Sequence, residues 1–300
     1  MIALSTAYNI RRHNNPDSLA DEIKSFGFPA IELNVEIPAS FINKLSGRLK
    51  IISVHNYCPK VETVPEGRTI YSPYLMSSED VEERALALKL TLKSIDVAAG
   101  VGATALVIHS GEVVTEFTGR HLARHFNETK GKDGYKEILS NFLKERNKKS
   151  AVFLENVVAV LDRVLNYAVK KKIKIGIENR FWANEIPSYK ETGIILQKLD
   201  SPNLGFWYDV GHAVIAEKQG VVNNRLDFLK AYGKRIVGLH LHDVTDVYDH
   251  KAPGTGEVNF SDISVFIRQD TLLVNETHSL SSNDEELKNS TAYLKKCGIV

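Results

Sequence analysis

The sequence predicts a (β/α)8 barrel, an α/β fold folded as a single domain. Three observations carry that expectation. Eight short apolar or β-branched runs are apolar on both faces, longer amphipathic segments alternate with them, and a side chain able to bind metal or move a proton closes every run from the third onward. Length agrees, because 300 residues accommodate one such barrel, which commonly takes ~250.

The runs lie at 2–5 (IALS), 30–33 (AIEL), 51–54 (IISV), 105–108 (ALVI), 173–177 (IKIGI), 204–208 (LGFWY), 236–239 (IVGL) and 271–274 (TLLV). Between them the apolar period changes from that of a strand to that of a helix, with helices expected at 17–26, 78–99, 151–171, 188–199 and 284–296. Ser77, Ser78 and Asp284 are the expected N-caps, and Gly100 and Gly298 the expected C-caps. Two stretches, at about 56–77 and 111–150, are longer than ordinary connections and are read as loops covering the strand ends. A doubly wound open sheet is the competing architecture. It is disfavoured because neither G-x-G-x-x-G nor G-x-x-x-x-G-K-[ST] follows any run.

Composition narrows the function classes. With 38 basic against 37 acidic residues, the chain has no bulk charge for binding a polyanion, although a local basic patch remains open. No apolar run approaches the ~20 residues of a membrane span, and the first residues lack a signal-peptide core, so a cytoplasmic protein is expected. Cys58 and Cys297 are the only cysteines, which leaves His, Asp and Glu as ligands for any metal.

The run ends are the most informative feature. In order they reach His55, His109, Glu178, Asp209 with His212 three residues on, His240 and Glu276. A parallel barrel opens the C-terminal ends of all its strands onto one face, so these residues would converge on one cavity. One His or Glu at a strand end is more often structural than chemical. A set of three carboxylates and several imidazoles is costly to bury unless a cation neutralises it, and the mixture suits a divalent metal such as Zn, Mn, Co or Mg. Glu32, at the end of the second run, is read as a buried salt-bridge residue, and Cys58 as a reduced thiol. His242 and His278 follow ligand candidates by two positions and are assigned to deeper or outer layers.

The segments SVH at 53–55, VIHSG at 107–111, IEN at 177–179, YDVGHA at 208–213, LHLHD at 239–243, HKAPGTG at 250–256 and NET at 275–277 resemble the endonuclease IV and xylose isomerase-like superfamily of metal-dependent TIM barrels. The resemblance implies that Glu178, Asp209, His240 and Glu276 hold one divalent ion. It further implies that His55 and His109 share Glu178 with a second ion, and that His212 and His250 belong to a third site or to the substrate. In the nucleases that third site includes an Asp two positions before the His, and this chain has Tyr248 there. One or two tightly held ions per chain are therefore expected, with Asp249 or Asp246 able to supply the missing carboxylate only if the loop shifts register.

The resemblance admits two activities. A metal-dependent isomerase or epimerase of a small sugar, polyol or sugar phosphate would use Glu178 and Glu276 as catalytic carboxylates, with Arg180 gripping an anionic group and Trp182 stacking on a sugar face. An endonuclease IV-like abasic-site phosphodiesterase would use the same ligands to activate water. His55 and His109 favour the second activity, whereas Arg180-Phe181-Trp182 and Tyr248 favour the first, which is preferred. A silent scaffold is the least favoured reading, since nearly every ligand position is kept. A small carbohydrate is the expected partner, ahead of nucleic acid, because acidic residues are interleaved with the basic ones of the two long stretches.

Overall fold

The computed structural model describes residues 1–132 and 134–299. Eight parallel strands close a barrel: β1 (Ile2–Ser5), β2 (Ala30–Leu33), β3 (Lys50–His55), β4 (Ala105–Ile108), β5 (Lys174–Glu178), β6 (Leu204–Asp209), β7 (Ile236–Leu241) and β8 (Leu272–Asn275). Each strand pairs with its sequence neighbours, and β1 pairs with β8 to close the ring. All eight expected runs are strands, each within two residues of the expected bounds. Strands buried on both faces need apolar residues at consecutive positions, and the runs supply them.

The lumen is filled by small residues around one large one. Ala3, Ala30, Ala105, Val107, Val237 and Val274 form a cluster with Trp207, and Gly176 and Gly238 leave room for its indole. Trp207 lies under His240, ring centroids 5.1 Å apart, so the aromatic plug is also the base on which the site sits.

The helices pack outside. Pro16–Ser25, Tyr189–Lys198 and Asp284–Lys296 agree closely with expectation, while Val81–Gly100 starts three residues later than expected. The caps differ by one to three residues. Asp80 and Asn283 cap the N-termini instead of Ser77, Ser78 and Asp284, and the C-caps are Val101 and Cys297 instead of Gly100 and Gly298. The stretch 56–77 is irregular, as expected. The stretch 111–150 is not a loop. It holds the helix Gly119–Thr129 and the first part of a 37-residue helix, Tyr135–Lys171, which was expected to start at 151. Its polarity conceals an inward stripe of Tyr135, Phe142, Arg146 and Phe153 at helical spacing, with charged residues on the remaining faces. Among the described residues no helix is long and apolar enough to cross a membrane.

Candidate metal centre and substrate cavity

The strands deliver the site because side chains at their C-terminal ends all face one mouth. His55, Glu178 and Asp209 are the last residues of β3, β5 and β6, His240 is the penultimate residue of β7, and His109 and Glu276 follow β4 and β8 directly. Asp209 and His240 are register partners on adjacent strands.

One ligand atom from each of Glu178, Asp209, His240 and Glu276 falls within 4.8 Å of the others, and all four residues are buried. His240 Nδ1 lies 2.8 Å from Glu178 Oε1, 3.1 Å from Glu276 Oε2 and 3.6 Å from Asp209 Oδ2. Burial opposes ionisation of each acid, yet the basic groups around it outweigh it: His109 and Arg180 hold Glu178 well below the ordinary carboxylate range, His212 and His242 do the same for Asp209, and His240 and His250 bring Glu276 to about 2. Three ionised carboxylates so close together require positive charge between them.

A second group, His55, His109 and Glu178, adjoins the first through Glu178. His55 Nδ1 lies 3.1 Å from the carbonyl of Asn56, and His109 Nδ1 lies 3.1 Å from that of Tyr71. A carbonyl only accepts, so both Nδ1 atoms carry the proton and both Nε2 atoms turn to Glu178 Oε2, at 3.7 and 2.7 Å. A neutral ring there presents a lone pair to a carboxylate oxygen, a contact that only a proton or a cation makes favourable. Burial, helped by Arg180 and His55, pushes His109 down to about 4, so its ring is neutral near pH 7. This donor set fits divalent metal at both groups, with the second nitrogen of each imidazole held as metal-binding histidines hold it.

A third group stands on the hairpin after β7. His212 Nδ1 donates to the carbonyl of Asn179 (3.0 Å), leaving Nε2 3.9 Å from Asp249 Oδ2. His250 Nδ1 lies 3.0 Å from Asp249 Oδ1, and the two rings are inclined at 72°. Tyr248 is 71% exposed and takes no part. Asp249, one position after Tyr248, lines the cavity beside His212 and His250, the latter at a left-handed φ of 54°. His242 and His278 stack on either face of His250, centroids 4.2 and 3.9 Å away and interplanar angles 5° and 17°. One ligand atom each from His212, His242 and His250, and likewise from His250, Glu276 and His278, falls within 4.8 Å of the others, although parallel stacked rings direct their in-plane lone pairs side by side rather than at one ion. His242 is in any case fully engaged: its Nε2–H donates to the Asp209 carboxylate at 3.0 Å, and its Nδ1 accepts from the His250 N–H.

Arg180 is not free to grip an anion. It donates to Glu178 Oε2 at 2.7 Å and to Glu185 Oε1 at 2.9 and 3.2 Å, forming a buried bridge. Glu185 also accepts from the Trp182 N–H, and its carbonyl accepts from the buried Arg146. Trp182 lines the cavity beside Phe181, with the Arg120 guanidinium 5.6 Å from its ring. That cavity, about 680 Å3, lies between the metal groups and a roof that includes Tyr71, Arg120 and Trp182. No sequence pattern pointed to the Glu185 brace. Asp249 was anticipated only through the alternative of a shifted loop register.

With the geometry in hand, comparisons place the chain. It belongs to the xylose isomerase-like TIM barrel family, whose sequence model matches residues 20–297. An uncharacterized protein of Methanocaldococcus jannaschii is 30% identical over 136 residues, covering 42% of this chain and 41% of that protein, so the match spans about two fifths of the relative's length. Among solved structures, a D-tagatose 3-epimerase-like protein superposes with a TM-score of 0.69 at 20% identity, covering 99% of this chain and 96% of that one. The 3-keto-D-glucoside 4-epimerase of E. coli gives 0.69 at 14% identity, covering 99% of both chains. At these identities the likeness is one of fold.

Proposed function

We propose that the protein is a divalent-metal-dependent isomerase or epimerase of a small sugar, polyol or sugar phosphate. The observation that carries this reading is the pairing of Glu178 and Glu276 on His240 at the floor of a roofed cavity of about 680 Å3, within the ~300–1,000 Å3 of small-molecule sites. The epimerases among the structural neighbours support it.

Glu178, Asp209, His240 and Glu276 would hold the ion. Bound there, a dication polarises a carbonyl and its adjacent hydroxyl and so acidifies the neighbouring C–H. Glu276 reaches the cavity and is the acid best placed to take and return that proton. Glu178 is braced by Arg180 and His109, which fixes its position and limits its basicity. His212 and His250 face substrate hydroxyls, Phe181 and Trp182 offer apolar surface to a sugar face, and Arg120 is the cation nearest the roof for a phosphate.

A second reading has one specific observation behind it. Asp249 completes the third histidine group, the arrangement a phosphodiesterase acting at abasic sites would use. The test is a paired assay of metal-loaded protein on ketoses, aldoses and their phosphates, and on a duplex carrying one abasic site. Sugar interconversion without nicking is the expected result. Chelator-sensitive nicking without sugar turnover would put the nuclease first.

A further inference from the structure

The inference concerns Glu32, a carboxylate beside the floor group that is not one of its ligand candidates. It projects from β2 into the lumen, fully buried. Its Oε2 accepts from Ser53 Oγ at 2.7 Å, and Ser53 is its register partner on β3. Its Oε1 lies 3.0 Å from His240 Nε2, across the barrel and 208 residues away in sequence. A buried carboxylate is expensive, and a leucine or valine would fill a β2 position more cheaply. Its presence in the lumen calls for a partner that gains from the charge.

His240 is that partner. Its Nδ1 faces Glu178, Asp209 and Glu276, so its ligand atom is fixed by the fold. The contrast with the other imidazoles is informative: His55, His109 and His212 each anchor their second nitrogen on a backbone carbonyl, whereas His240 anchors its own on a carboxylate. A carboxylate accepting the Nε2–H fixes the tautomer and the ring plane, and it also pushes electron density toward Nδ1, making it a stronger donor to a cation.

We propose that Glu32 is a positioning residue which, with Ser53 behind it, holds His240 with the proton on Nε2 and Nδ1 free, and thereby sets the affinity of the floor site for its ion. The proposal rests on the metal reading of that site. It gives Glu32 no contact with ion or substrate.

The test measures metal binding directly, by competition with a chromophoric chelator, and the absorption bands of the cobalt-loaded protein. Glu32→Gln is nearly isosteric: its carbonyl can still accept from His240 and its amide can donate to Ser53, so the fold is kept and only the charge is lost. Floor-site affinity for zinc should fall about 10- to 100-fold, with shifted cobalt bands and unchanged binding at the outer groups. Ser53→Ala, which leaves the carboxylate in place with one partner fewer, should have a smaller effect in the same direction. A purely structural role would lower the melting temperature and leave zinc affinity and the cobalt spectrum of the folded protein unaltered, which overturns the proposal. If the wild-type protein binds no ion at the floor, the metal reading fails and the proposal falls with it. Tight wild-type binding with equal binding by Glu32→Gln defeats the role of Glu32 alone.

Discussion

The floor of the site and the hairpin above it are built from similar residues by different means. The floor ligands stand at strand ends whose register is fixed on both sides by hydrogen-bonded neighbours, as with Asp209 opposite His240 and His240 opposite Val274. The hairpin group takes Asp249 and His250 from a two-stranded ribbon, Asp243–Thr245 with Tyr248–Lys251, whose register is irregular. A strand end leaves little choice about which side chain faces the mouth, whereas a turn can change it through a single left-handed residue such as His250. Charge is therefore concentrated at the floor, on strand ends that neighbouring strands hold in register.

The largest expected effect comes from breaking the floor. Glu178→Gln should cost at least about 100-fold in kcat/KM on whichever substrate is turned over, beyond the ~10- to 100-fold expected for losing a ligand's hydrogen-bond partner, and more than any single histidine change. Glu178 belongs both to the floor group and to the His55–His109 group. Steady-state kinetics check this, and near-normal turnover would show that the site is organised around another acid.

The next effect separates floor from rim. Asp249→Asn removes the carboxylate beside His212 and His250 and should weaken an ion held there at least about tenfold, equivalent to ~1.4 kcal/mol, while leaving the floor ion in place. Tyr248→Asp should change neither, because that side chain points to solvent. Elemental analysis after graded dialysis distinguishes these outcomes. One or two ions retained by the unmodified protein fits the isomerase reading, and three would favour the nuclease.

That contrast also explains what the sequence disclosed. The barrel and the six strand-end residues were legible because apolar runs and period-two alternation determine both the strands and the side of each terminal residue. Asp249 was not, since no pattern in VTDVYDHK reveals a positive φ at His250. The roof helices were obscured by their polar surface, and Arg180 was assigned to a ligand because its two acidic partners, Glu178 and Glu185, lie on different elements. Glu32 was read as a buried ion-pair residue, but its partner across the lumen could be identified only from the closed barrel.

The smallest effect concerns acid stability of the metal-free protein. Burial and the neighbouring His250 push the His278 imidazole down to about 3, whereas an unfolded chain protonates it near 6.5. Between those values the unfolded state binds the extra proton, so this residue lowers stability as pH falls from about 6.5 toward about 3, by no more than ~1.4 kcal/mol per pH unit. His278→Gln should flatten that part of the profile in denaturant titrations. An unchanged slope would mean that His278 is protonated in the folded protein.

The central claim is that the floor carboxylates move a proton on a carbon of a small polyhydroxylated substrate. The most direct measurement follows deuterium from solvent into that carbon by NMR, with metal-loaded protein, the chelator-treated protein and Glu276→Gln compared on the sugar panel. The account predicts incorporation by the metal-loaded protein that is lost on chelation and lost again in Glu276→Gln. A metal-loaded protein that cleaves abasic DNA and leaves every sugar C–H unexchanged would contradict it.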